Sequence, residues 1–176
     1  MDRPVFLEGE RVELRPLGTD DATFLQHIVN APAVRSRIGS FEPYTFDEEV
    51  DWVESRADTD EVHLLVTVDD ERVGIIGLHP IHLAWGVVEV GYFIDPEHWG
   101  NGYATDALRC MCRYAFEECR YNKVAAQVYE TNPASRRVLE KVGFEEEGRF
   151  SDEAFIEGEY VDVFRFGLLA DDWFDR

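Results

Sequence analysis

Apolar and polar residues alternate through Arg11-Val12-Glu13-Leu14-Arg15-Pro16-Leu17, the period-two signature of a half-buried strand stopped near Pro16. Asp20 or Asp21 is placed to cap a helix running to about Asn30. A second helix is predicted from Asp47 to about Arg56, capped by Asp47 and with Val50 and Val53 on one face. Between them, Arg37 to Phe46 holds Gly39, Pro43 and three aromatics, which predicts a long loop of the kind that lines sites. Strand patterns then recur at His63–Val68, Arg72–Leu78 and Val87–Ile94, with Asp69-Asp70-Glu71 as the first turn and Asp95-Pro96 as the last stop. Apolar residues at helical spacing follow from Thr105 to Cys119, and Lys123–Tyr129 reads as strand. Asn132-Pro133 opens a further helix, with Asn as cap and Pro at the first helical position, and Gly143-Phe144 closes it. Phe144 to Leu169 reads as two strands joined around Glu157-Gly158. The order β, α, α, three strands, α, β, α, two strands predicts a mixed α/β sheet.

Length and composition narrow the class. The chain has 176 residues, 45% of them hydrophobic, including 4 Trp, 7 Tyr and 12 Phe, which suits a single domain over residues 1–176 with a real core. Formal net charge is −20, which disfavours nucleic acid and anionic membrane surfaces as partners, since both recruit clustered cations. Lys123 and Lys141 are the only lysines among 17 cations, and the acids are spread along the chain. This reads as a surface adapted to high salt, where a Debye length of about 3 Å at 1 M screens self-repulsion. Met1-Asp2-Arg3-Pro4 lacks the basic and apolar regions of a secretory leader. The three cysteines, Cys110, Cys112 and Cys119, fall in one helical stretch without further ligands at metal spacing. A cytoplasmic protein without a metal is expected.

The chemistry concentrates where a strand passes through Asp95-Pro96-Glu97-His98-Trp99-Gly100-Asn101-Gly102-Tyr103-Ala104 into a helix. A Gly-rich turn at a helix start presents outward backbone N–H groups and the positive end of the helix dipole, a site for phosphate or pyrophosphate. A tight βα turn without a ligand would read the same way. Gly-Lys-Ser/Thr is missing, so this is no NTPase P-loop; Thr105 stands where a dinucleotide fold needs a third small residue.

Trp99-Gly100-Asn101-Gly102-Tyr103-Ala104 resembles the acetyl-CoA pyrophosphate loop of the GNAT acetyltransferases, Gln/Arg-x-x-Gly-x-Gly/Ala, with Gly102 and Ala104 at its last two positions and Trp99 departing from Gln/Arg. Downstream, Asn132 to Phe144 is similar to that superfamily's Asn-x-x-Ser…Gly-Phe block. Upstream, Glu89-Val90-Gly91-Tyr92-Phe93-Ile94 resembles its Glu-(Ile/Val)-Gly-Tyr strand, and Arg11–Leu17 its opening. The blocks cover about residues 10–170 and are most similar to the RimJ/RimL-type, ribosomal-protein N-acetyltransferase branch.

The resemblance implies a GNAT fold: a mixed, mostly antiparallel sheet of six to seven strands, splayed at the cofactor site and flanked by about four helices. It implies acetyl-CoA as cosubstrate, with direct transfer to an amine and a homodimer as an option. Phe93 and Ile94 would give backbone contacts to pantetheine. Gly100, Asn101, Gly102, Tyr103, Ala104 and Thr105 would hold the pyrophosphate, and Asn132 the pantetheine arm. An alkyl ammonium must lose a proton before it attacks, and the thiolate must be stabilised. Glu89 is the candidate base, against a reading as an ion-paired strand carboxylate; Ser135 is the candidate hydrogen bond to the thiolate, against a local helix-start serine. Arg136 or Arg137 could meet the 3′-phosphate. His79 and His82, bracketing Pro80, could be a base, a substrate contact or solvated loop residues.

The acceptor would lie between Arg37–Phe46 and Gly148–Tyr160, with Tyr44, Phe41 and Phe155 as walls and Glu42, Glu157 and Glu159 drawing a cation. A protein N-terminal α-amino group is the leading acceptor. Acetylation of a polyamine or aminoglycoside is the alternative, and a non-catalytic acyl-CoA-binding module lies behind both.

Overall fold

The computed structural model describes residues 3–175. Eight strands, β1 (Leu7–Glu8), β2 (Glu13–Pro16), β3 (Val62–Val68), β4 (Glu71–His82), β5 (Val87–Ile94), β6 (Lys123–Tyr129), β7 (Glu145–Ile156) and β8 (Glu159–Leu169), form one sheet. The helices are α1 (Ala22–Asn30), α2 (Pro32–Ile38), α3 (Phe46–Ser55), α4 (Tyr103–Arg113), α5 (Pro133–Val142) and α6 (Ala170–Phe174). Strand order is β1-β2-β3-β4-β5-β6-β8-β7. Every neighbouring pair is antiparallel except β5–β6, which is parallel and crosses over through α4. This is the GNAT fold, with eight strands and six α-helices among the described residues in place of the six to seven and four expected. The additions, β1, α2 and α6, are two, seven and five residues long, too short for sequence periodicity to register.

Cross-strand partners share a face of the sheet. Ile75, Gly77 and His79 of β4 stand opposite Phe93, Gly91 and Glu89 of β5, and α1, α2 and α3 lie over that face. The other face is the core: Leu64, Ile76, Leu78, Val88, Val90 and Ile94 are buried with Ala107, Leu108 and Met111 of α4. Cys110 and Cys112 are buried and Cys119 half-buried, all three reduced.

Several boundaries moved for local reasons. Thr45, not Asp47, caps α3: its Oγ1 accepts the Glu48 N–H while the Glu48 carboxylate accepts the Thr45 N–H at 2.7 Å, a capping box hidden in Thr-x-x-Glu. The loop expected from Arg37 to Phe46 is shorter, because α2 continues to Ile38 and stops at left-handed Gly39. β4 runs on to His82, so His79 and Pro80 are strand residues. Pro80 is tolerated there because β3 pairing ends at Val62/Leu78 and its missing N–H faces no partner.

Asp21 caps nothing. Its buried carboxylate accepts Arg3 and Arg72 guanidinium groups (2.6 and 2.7 Å) and the Gly18 N–H (2.9 Å). Burial alone would raise its pKa, but those bonds outweigh it and hold it below the ordinary carboxylate value. A carboxylate depressed in the folded state stabilises fully above the unfolded pKa of about 3.9 and loses that contribution as pH falls through the folded value. Asp21→Asn should therefore cost about 3 kcal/mol at pH 7. The difference should shrink as pH drops below about 4, which urea unfolding at both pH values reads directly.

Candidate active site

β5 and β6 pair only from Val87/Lys123 to Glu89/Ala125, then part, although β4–β5 and β6–β8 stay paired along their lengths. The gap opens a cleft of about 1260 Å³, running between the start of α4, the start of α5 and the sheet face under α1–α3. Glu89, Phe93, Ile94, Gly100, Gly102, Tyr103, Ala104, Thr105, Asn132 and Ser135 all line it. Asn101 does not: its Nδ2 donates to the His98 carbonyl and its own carbonyl accepts from Arg11, on the outer side of the turn.

The antiparallel ladder decides which β5 backbone groups face the gap. The Asp95 N–H donates to the Val73 carbonyl at 2.8 Å. By alternation, Phe93 and Gly91 bond toward β4, while Ile94, Tyr92 and Val90 turn their N–H and C=O groups to the gap. Of the two residues expected to offer backbone, Ile94 is so oriented and Phe93 is not; Tyr92 takes that place. The Ile94 carbonyl is already taken by the Trp99 indole N–H at 2.7 Å, leaving its N–H. Arg37 stacks on that indole at 4.8 Å. Trp99, where the family motif carries Gln or Arg, therefore pins the end of β5 to the turn.

At the helix start, Gly100 and Gly102 adopt φ of +82° and +81°. Gly102 is the N-cap, and Asp106 N–H is the donor that returns to its carbonyl (3.1 Å). The N–H groups of Tyr103, Ala104 and Thr105 thus lack intrahelical acceptors. No side chain caps them. The Asp106 carboxylate turns away and accepts the backbone N–H groups of Glu10, Arg11 and Val12 instead (3.2, 2.7 and 3.0 Å). Free N–H groups at the positive end of a helix suit a pyrophosphate. Arg137 and Lys141 line the same cleft, whereas Arg136 is held by Glu140 and Glu146 (3.0 and 2.8 Å).

α5 brings Asn132 and Ser135 to the opposite lip. Asn132 Oδ1 accepts the Ser135 N–H at 3.2 Å as the helix cap, so its Nδ2 remains for a ligand. Ser135 Oγ lies 3.0 Å from the Tyr92 hydroxyl. Burial pushes the Tyr92 phenol up to about 12, only partly offset by Ser135, so it stays protonated near neutral pH. The Tyr92 hydroxyl also reaches the Ser135 carbonyl at 3.4 Å, and either hydroxyl can donate across the 3.0 Å contact; where Tyr92 donates to Oγ, the Ser135 O–H is free to point into the gap. The Tyr92 side chain had no signal in the sequence beyond its Gly-Tyr motif.

Glu89 stands at the apex of the gap, its Oε2 accepting from Gln127 Nε2 at 3.2 Å across the last rung. Of the expected acceptor walls, Tyr44 lines the cleft. Phe41, 77% exposed, and Phe155 do not, and Glu157 lines a separate small pocket. Among the described residues, none of the β7–β8 hairpin lines the cleft. Its place is taken by α3, whose Glu48, Glu49, Asp51 and Trp52 line the cleft, along with His63 and His79. His82 instead stacks on Trp85 at 3.6 Å.

Residues 11–145 match the acetyltransferase (GNAT) domain model. The relative named "Putative ribosomal N-acetyltransferase YdaF" from Bacillus subtilis (strain 168) is 35% identical over 123 residues, 70% of this chain and 67% of that protein. The spermidine N(1)-acetyltransferase of Escherichia coli (strain K12) is 31% identical, over 90% of this chain and 86% of its own. The crystal structure of spermidine N-acetyltransferase from Vibrio cholerae with CoA and spermine superposes with a TM-score of 0.86 at 29% identity, covering 93% and 98% of the two chains. The chain belongs to the GNAT family, an acetyltransferase with acetyl-CoA as its cosubstrate.

Proposed function

We propose that this protein moves an acetyl group directly from acetyl-CoA to a primary alkyl amine, with a protein N-terminal α-amino group as the acceptor. The observation that carries it is the parting of β5 from β6 after Glu89, which opens a continuous cleft from the α4 N-terminus to that carboxylate. The N–H groups of Tyr103–Thr105 hold the pyrophosphate, the Ile94 and Tyr92 N–H groups hold the pantetheine arm, and one of the gap-facing amides polarises the thioester carbonyl. Glu89 draws the ammonium to the apex, and the Ser135 hydroxyl, backed by Tyr92, stabilises the leaving thiolate.

A small polyamine is the second reading. Glu48, Asp51 and Glu89 spread carboxylates along the cleft, as a polycation would require, and relatives named for spermidine acetylation lie at 28–31% identity. Mass spectrometry of acetyl transfer separates the two over a panel of peptides with free N-termini, polyamines and aminoglycosides. It is run in molar KCl because the acidic surface fits a halophile. Acetylated peptide N-termini support the first reading, product only on small amines moves the protein to the second, and acetyl-CoA binding without product sinks both.

Ser135→Ala should lower kcat about 100-fold, the worth of one donor aimed at developing negative charge. Acetyl-CoA affinity should hold, since Asn132 and the α4 N–H groups remain. Isothermal titration beside steady-state kinetics reads both numbers; an unchanged kcat removes Ser135 from the chemistry.

A further inference from the structure

A second set of titratable groups lies in the cleft beside Glu89. His79 is the direct β4 partner of Glu89 on the covered face. Its Nδ1 sits 3.3 Å from Glu61 Oε1; with the proton on Nδ1, facing that carboxylate, Nε2 keeps its lone pair. Nε2 is directed over Gly91: a Cβ built there would lie 3.6 Å from it and meets no other residue's atoms within 4 Å. Gly91 is two residues beyond the last β5–β6 rung, so bare backbone and an imidazole lone pair meet where the gap begins.

The surroundings hold this ring in place. His63 packs edge-on against it at 4.8 Å and against Trp52 at 4.9 Å. His63 fits because its neighbour on β4 is Gly77, where a Cβ would come within 2.6 Å of its ring. Burial first, then the neighbouring His79, lowers the His63 pKa to about 4, so His63 stays neutral near neutral pH. The charged groups around His79 are Glu61 before β3, Arg56 after α3 and bound to Glu61, and Glu89 on β5, with Glu48, Glu49 and Asp51 of α3 across the cleft.

We infer that Glu61 and His79 form a carboxylate–imidazole dyad in which His79 Nε2 is the general base that takes the proton from the acceptor ammonium. This rests on the proposed transfer to an amine and names its base. The ammonium gives one proton to Nε2, forming an imidazolium that Glu61 stabilises. The freed nitrogen lone pair attacks the thioester carbonyl carbon; the C–N bond forms and the C–S bond breaks. The second proton leaves the amide nitrogen for the thiolate, and the imidazolium returns its proton to solvent. Glu89, with Oε2 bound to Gln127, is the electrostatic anchor. The ligand atoms of Glu61, His63 and His79 also lie within 4.8 Å of one another. Arg56 already sits on the other oxygen of Glu61, and a guanidinium there opposes a dication.

Two measurements judge the dyad. Long-range ¹H–¹⁵N spectra of the intact enzyme read the His79 tautomer without any acceptor. The dyad requires Nδ1–H in the wild type and a shift toward Nε2–H in Glu61→Gln; Nε2–H in the wild type overturns it. In pH–rate profiles with the best amine of the panel, His79→Gln should lose about 100-fold or more in kcat and lose the acid limb, with acetyl-CoA affinity unchanged. Glu61→Gln should move that limb to lower pH, because the imidazolium loses its counter-charge. Added imidazole should restore part of the rate to His79→Ala. A limb that persists in His79→Gln and vanishes in Glu89→Gln overturns the assignment. Failure of every amine to accept acetyl sinks the transfer reading itself, which the tautomer spectra do not depend on.

Discussion

Gly102→Val is expected to weaken acetyl-CoA binding about 100-fold, about 2.8 kcal/mol at 1.4 kcal/mol per decade. Two effects add. The residue has φ +81°, and a β-branched side chain in the left-handed region is strained by about 1–2 kcal/mol. Its Cβ would sit 3.7 Å from Arg11, ordinary contact, so the fold accommodates it. The valine methyl groups, however, would stand at the mouth of the α4 N–H groups, where the pyrophosphate must approach. Melting temperature should fall by only about 2–8 °C, at 2–4 °C per kcal/mol for a chain of this size. Titration calorimetry and thermal melts therefore separate lost binding from lost folding. Affinity within about threefold of wild type would mean the pyrophosphate does not sit on this turn.

Asp106→Ala should be the most destabilising single change near the site. The side chain is 6% exposed and its two oxygens accept three backbone N–H groups from residues 10–12, nearly a hundred positions away in sequence. Deleting it orphans those donors at about 1–3 kcal/mol each, partly relieved by water at the chain surface; a loss of about 4 kcal/mol follows, or roughly 10 °C in melting temperature. Asp106→Asn retains the volume but turns an amide N–H₂ toward donors, so it should rescue only part. Because the same residue ties the β1–β2 turn to the first turn of α4, acetyl-CoA affinity should weaken as well. A melting temperature within about 2 °C of wild type would show that the three contacts are replaceable by solvent.

Neither role of Asp106 could be read along the chain. It stands in the first turn of a helix, where a carboxylate ordinarily favours the helix dipole. Here it turns to a distant loop and leaves the helix N–H groups unoccupied. Asp21 is similar: it precedes α1 as a cap would, yet serves as the buried hub for Arg3 and Arg72. Short polar side chains have several partners within reach, and long-range folding chooses among them.

The hydrophobic pattern determined the strands of the meander and α4, because period-two and helical spacings reflect which face is buried, while cap and turn residues marked α5 and the final hairpin. The Gly-x-Gly turn and the Asn-x-x-Ser block were legible too, since positive φ and helix capping are local demands met by few residue types. Only the tertiary structure decided what those pieces do together. The length of the β5–β6 pairing opens the cleft, and the phase of the β4–β5 ladder sends Tyr92 rather than Phe93 to the gap. α3, not the β7–β8 hairpin, supplies the acidic wall. His63 and His79 meet because β3 sets His63 over Gly77 and the β4–β5 pairing sets His79 beside Gly91, with Glu61 just ahead of β3 reaching the same ring. Pairing register and helix placement depend on contacts between residues far apart in the chain, and local sequence preference does not encode them.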